Sequence, residues 1–100
     1  MQTKTIEKQP GEDIVVGIDC DRWLKDGDTI SSVLDTKIYD ETDTDVSATM
    51  LVGAGTFSGT VISVEIQAGE DQHNYKITVQ FQTSIHPILE IDVPILVRET

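Results

Sequence analysis

Polar and apolar residues alternate with period two along most of the chain. Ile14, Val16 and Ile18 alternate with Val15, Gly17 and Asp19. Ile62, Val64 and Ile66 stand opposite Ser63, Glu65 and Gln67. Tyr75, Ile77, Val79 and Phe81 are separated by Lys76, Thr78 and Gln80. Leu89, Ile91, Val93, Ile95 and Val97 repeat the pattern against Glu90 and Asp92. Each run reads as a strand with one buried and one wet face. The inward positions are mostly β-branched, which suits a half-buried pleated surface. Weaker strand signals cover residues 29–39, as two short pieces, and residues 46–52. Asp26-Gly27, Gly53 with Gly55, Ala68-Gly69-Glu70-Asp71 and His86-Pro87 supply the turns. Strands at about ten-residue spacing with Gly/Asp turns predict an all-β sandwich or barrel. Residues 21–25 hold the one place expected to form a turn of helix.

Two details sharpen this expectation to an Ig-like antiparallel β-sandwich of about seven strands. Tyr75 opens a late strand after an Asp/Asn-bearing loop, where Ig-like folds turn a tyrosine hydroxyl back onto upstream backbone. Ile77, two residues on, then takes the core position that antibody domains give to a cysteine. Trp23 is the candidate core plug nearer the N-terminus. The plainer alternative makes Tyr75 only the first residue of an amphipathic strand. Residues 1–11, MQTKTIEKQPG, carry no periodicity and end in Pro-Gly. They are expected to form a flexible N-terminal arm, with residues 12–100 as one sandwich domain. Pro94 interrupts the last strand, so that strand is expected at a sheet edge or with the proline nitrogen toward solvent.

Length agrees with one domain, since 100 residues make a sizeable core without a staple. Eighteen acidic against seven basic side chains leave a net charge of −11. Such a chain repels polyanions, which argues against nucleic acid as a partner. No stretch approaches the about 20 apolar residues of a membrane span, and residues 1–11 have no hydrophobic signal core. Neither a membrane partner nor export by its own leader is expected. Cys20 is the only cysteine, so no internal disulfide or cysteine-based zinc site forms. It reads as a small buried thiol.

Catalytic constellations are not expected. His73 lies in a polar turn and His86 precedes Pro87, and both read as loop residues rather than bases. No Gly-x-Ser-x-Gly and no phosphate-cradling glycine loop occurs. The chain is read as a non-enzyme without cofactors. One metal idea rests on the acidic run DETDTD, where Asp40, Glu41, Asp43 and Asp45 offer carboxylates to calcium. The run lacks the glycine and distal glutamate of an EF-hand loop, and a solvated acidic loop is the plainer reading. Arg22 and Lys25 flank Trp23-Leu24 in an otherwise acidic segment. With Pro94, they form the candidate partner contact, because Arg and Trp are enriched at interface hot spots. The competing reading buries Trp23 in the core.

Four segments in fixed order carry a resemblance. They are PGEDIVVGIDCDRWL, KDGDTISSV, FSGTVISVEIQAGEDQHNYKITVQFQT and EIDVPILVRE, together spanning residues 10–99. In order and spacing they resemble the fiber-tail adaptor-like virion proteins of tailed bacteriophages. The middle segment SVLDTKIYDETDTDVSATMLV departs from that pattern, being acidic where the family is Thr/Ser-rich with a tryptophan. The resemblance implies an Ig-like structural component of a phage or prophage particle, at the tail or neck, with no catalytic residues to carry over. It further implies assembly in the host cytoplasm, contacts with other virion proteins, and repetition as a homo-oligomer. A capsid decoration protein and an adhesion or carbohydrate-binding β module are the alternatives. Five aromatic residues make the platform of the last hard to build.

Overall fold

The computed structural model describes residues 4–24 and 27–99. Seven strands run in chain order: β1 (Ile6–Lys8), β2 (Ile14–Asp19), β3 (Ile30–Asp40), β4 (Leu51–Ser58), β5 (Val61–Ile66), β6 (His73–Thr83) and β7 (Leu89–Val97). They form two sheets, ordered β1-β7-β6-β3 and β2-β5-β4. Strands β2, β5 and β4 correspond to B, E and D of an Ig-like sandwich, and β3, β6 and β7 to C, F and G. The first strand departs from the constant-type plan: β1 pairs with β7, Ile6 opposite Ile95 and Lys8 opposite Val97, and this pairing is parallel. All other pairings are antiparallel.

The alternation in the sequence is the cross-section of the fold. Val16, Ile18, Ile62, Val64 and Ile66 project from the three-stranded sheet into the core. Ile77, Val79, Phe81, Ile91, Val93, Ile95 and Val97 meet them from the other sheet. Cys20 and Ile38 are also fully buried. Burying a side chain of this size contributes about 1.5–3 kcal/mol, so this layer supplies the main drive to fold.

Several local expectations change. Residues 30–40 form one long strand, with irregular register between Ile30 and Ser32 and between Val33 and Asp35. A second helical turn, Ser47–Met50, joins the 3-10 turn at Asp21–Trp23. It buries Met50 and delivers the chain into β4. Gly53 and Gly55 lie inside β4, where the pairing with β5 is interrupted between Val52 and Thr56. Gly53 has φ of 72°, so this stretch bulges rather than turns.

Residues 6–8 of the expected arm are strand β1. Arg98 donates its amide to the Lys8 carbonyl, and the Arg98 guanidinium sits 3.2 Å from Glu7. Lys8 fills an inward position and is nearly buried, with its ammonium donating to the Gln9 and Ala68 carbonyls at 2.7 and 2.5 Å. A lysine at a core position hides the apolar alternation from the sequence. The edge expectation for β7 also changes, because β7 lies between β1 and β6. Pro94 is adjacent to Ile95, where the β1 pairing begins, so its missing N–H falls just beyond the reach of β1.

Candidate functional site

The sandwich is elongated, 41 × 23 × 21 Å, and its two ends differ in chemistry. At one end lie the β2–β3 segment, the β4–β5 turn and the β6–β7 loop. The corresponding loops B–C and F–G serve as binding loops in antibody variable domains. Asp28 organises this end from a buried position. Its carboxylate accepts bonds from the Ser84 hydroxyl (2.8 Å) and the Ile85 amide (3.2 Å), and His86 Nδ1 is 3.3 Å away. Burial pushes the Asp28 carboxyl up, but hydrogen bonds from Ser84, Thr83, Ile85 and His86 outweigh it and hold it below the ordinary aspartate value. The clamp fixes the loop that carries Ile85 and Ile88, which are 53% and 60% exposed. Phe57, close to the β4–β5 turn, is also exposed. This end therefore presents an apolar tip on a rigid base.

The other end is acidic. Asp40, at the end of β3, accepts from the Thr42 amide and hydroxyl (2.9 and 2.6 Å) and from the Thr44 amide (3.0 Å). Those bonds, led by the Thr42 hydroxyl, hold its carboxyl below the ordinary value. Asp43 takes the left-handed φ of 64° that closes the turn. Asp45 accepts from the Ser47 hydroxyl (2.6 Å) and amide (2.9 Å), and the same bonds lower its carboxyl. Glu41 is 2.6 Å from His73 Nδ1, and Glu70 is 3.4 Å from Nε2. Of the four carboxylates suggested for calcium, those of Asp40 and Asp45 thus serve their own loop and that of Glu41 serves His73. Among the described residues, no group of three or more His, Cys, Asp or Glu side chains is placed to hold a metal ion.

Tyr75 forms the expected corner. Its hydroxyl accepts from the Glu70 amide at 2.9 Å and pins the β5–β6 loop. Ala68 and Gln72 in that loop adopt left-handed φ values of 57° and 62°. Gly69, with φ of 95°, packs where a Cβ would come within 2.8 Å of Val97 Cγ2.

The candidate contact residues separate. Trp23, on the 3-10 turn, is half-buried and packs against the core rather than plugging it. The Arg22 guanidinium stacks on its ring at 4.6 Å. Lys25 lies outside the described residues. Pro94 faces Lys76 across the β6–β7 ladder. Arg22 and Trp23 line an open cleft of about 470 Å3 with Lys4, Ile6, Val16, Ile18 and Val93. It opens between β1 and β2, where the two sheets expose neighbouring edges. Sequence alone hides this cleft, because it arises from the long-range pairing of β1 with β7. Burial raises the Cys20 thiol to about 11, with Asp19 adding to the shift.

No curated protein and no solved structure matches the chain. One family model does, that of the podophage GP4 fiber-tail adaptor protein gp77, over residues 8–95. The match takes in every strand from β2 to β6, the Tyr75 corner, the acidic loop and nearly all of β7. An all-β sandwich with two chemically distinct ends and a sequence that fits this model over almost its full length belongs to the podophage fiber-tail adaptor family, a structural family of the phage tail.

Proposed function

We propose that the protein is a non-enzymatic adaptor that joins two different tail components through its two unlike ends, in several copies around the tail. The observation that carries this reading is the chemical polarity of the sandwich. Exposed Ile85, Ile88 and Phe57 lie at one end, and Asp40, Glu41, Asp43, Glu70 and Asp71 lie at the other. A connector needs two surfaces that do not compete for one partner, and a rigid β-sandwich holds such surfaces at a fixed separation. The apolar end suits an apolar recess on one neighbour. The acidic end suits a basic surface, and contacts there weaken with salt. Repetition around a symmetric tail multiplies modest contacts, because each bound copy raises the effective concentration of the next. The histidines support the non-enzymatic reading, since His86 braces the β6–β7 loop beside Asp28 and His73 bridges Glu41 and Glu70. Assembly would take place in the host cytoplasm, with protein partners rather than nucleic acid or membrane.

The test is quantitative mass spectrometry of purified particles separated into heads and tails. A fixed copy number in the tail fraction is expected, and that number gives the symmetry. Recovery with heads alone makes the protein a capsid decoration subunit. Absence from both fractions overturns the virion reading.

A further inference from the structure

The two sheets have four edge strands, and three of them are blunted. Strand β1 has only three residues. Strand β3 has two register irregularities, and β4 is interrupted between Val52 and Thr56. Short length and bulges are the devices by which sheet edges avoid unwanted pairing. Strand β2 has neither. Its six residues pair with β5 in unbroken register from Ile14 to Asp19, and it contains no proline and no lysine.

The ladder also fixes which main-chain groups of β2 look outward. The Cys20 amide donates to the Thr60 carbonyl at 2.8 Å, continuing the register of Asp19 with Val61. In an antiparallel ladder, hydrogen-bonded pairs alternate with pairs whose N–H and C=O point away. Cys20, Ile18, Val16 and Ile14 therefore bond inward to β5. Val15, Gly17 and Asp19 present their main chain to the open side. Among the described residues, no hydrogen bond reaches the main chain of Val15 or Gly17 from that side. Val15 is 66% exposed, and Gly17 adds no side chain to obstruct a neighbour.

We propose that β2 is the docking edge for an extended segment of a different tail protein, which adds as a fourth strand to the three-stranded sheet. The proposal rests on the adaptor reading and names one of its contacts. The segment bonds the outward N–H and C=O groups of Val15 and Gly17. Its inward side chains are apolar and enter the cleft of about 470 Å3 floored by Ile6, Val16, Ile18 and Val93.

Charge selects the partner. Glu12, Asp13 and Glu65 lie at one end of the edge, and Asp19 and Asp21 at the other, against Lys4 and Arg22. Asp13 already raises the Glu65 carboxyl through a shared hydrogen bond and like charge. A second copy of this chain pairing antiparallel through β2 sets Asp13 opposite Asp19 or Asp21, which is unfavourable. The segment that fits has alternating apolar residues with Lys or Arg at both ends.

Amide hydrogen exchange over residues 14–18, in the free protein and in purified tails, tests this directly. Exchange at Val15 and Gly17 is expected to slow by about tenfold or more in tails. The variant Val15→Pro removes one outward donor while sparing the bonds to β5, and Asp13→Lys reverses the charge at one end. Val15→Pro is expected to keep the wild-type melt, Asp13→Lys to keep or slightly raise it by removing the repulsion with Glu65, and both to lower uptake into tails. Wild-type exchange reads the same edge even where a variant does not fold. Unchanged exchange at these amides in tails that contain the protein overturns the docking edge and leaves the adaptor reading standing. Concentration-dependent protection in the pure protein overturns the choice of partner in favour of a second copy. Absence of the protein from tails overturns both readings.

Discussion

Tyr75 of β6 and Gly69 of the β5–β6 loop hold that loop by different means. Tyr75 accepts the Glu70 amide from a largely buried position, so Tyr75→Phe leaves that amide without its partner. A loss of about 1–2 kcal/mol is expected in urea unfolding, with the fold retained by circular dichroism. Gly69 combines a left-handed backbone with a Cβ position 2.8 Å from Val97 and 3.2 Å from Met50 Cε. Gly69→Ala adds backbone strain to overpacking, and unfolding should lose about 2–4 kcal/mol. A smaller loss at Gly69 than at Tyr75 in the same assay would contradict the packing described for this loop. Cys20 is buried, and its thiol is raised to about 11. It should resist a thiol reagent at neutral pH until the protein is unfolded. Tyr75 was legible because a polar loop followed by Tyr-x-Ile-x-Val ties a specific hydroxyl to a specific loop. Trp23 was not, because an aromatic on a short turn has no periodicity to say which way it faces.

At the scale of elements, β2, β5, β6 and β7 were legible because each buries one face, and period two then follows from the pleat. Strand β4 was not, because its ladder is broken at Gly53 and most of its side chains are half-buried or exposed. The turn Ser47–Met50 is too short to print a helical period. Strand β1 is concealed by Lys8 at an inward position. The β2 edge could not be read at all, since its openness depends on which sheet β1 joins. On the opposite side of the sandwich β3 and β4 approach closely. A Cβ at Gly55 would lie 2.8 Å from Thr36 Oγ1, a buried hydroxyl with no hydrogen-bond partner. Gly55→Ala should destabilise by about 1–3 kcal/mol. The same substitution should cost less in a Thr36→Ala background, because the obstructing atom is gone. Equal costs in the two backgrounds, measured as a double-mutant cycle, would rule out this contact as the cause.

The whole molecule carries a net charge of −11, and its response to acid depends on a few organised carboxylates. Asp28, Asp40 and Asp45 all titrate below their ordinary value of 3.8 in the folded state. Their stabilisation is present above 3.8 and is lost as pH falls through the lower, folded values. Glu65 opposes them. Its carboxyl is raised, so it binds its proton more readily when folded, and the repulsion with Asp13 is relieved on mild acidification. Urea midpoints should therefore fall steeply only below about pH 4, and Asp40→Asn should flatten that fall. Added calcium should leave the melting midpoint unchanged within about 1 °C, because Asp40 and Asp45 already accept bonds from their own loop. The pairing of the first and last strands bears on a different property. Strands β1 and β7 run parallel, with Ile6 beside Ile95 and Lys8 beside Val97. Tension that draws the start of β1 and the end of β7 apart along the long axis pulls the two strands past each other. Their hydrogen bonds then bear the load together in shear, instead of opening one by one like a zipper. A pull applied in that direction would meet a mechanical clamp at the seam between β1 and β7.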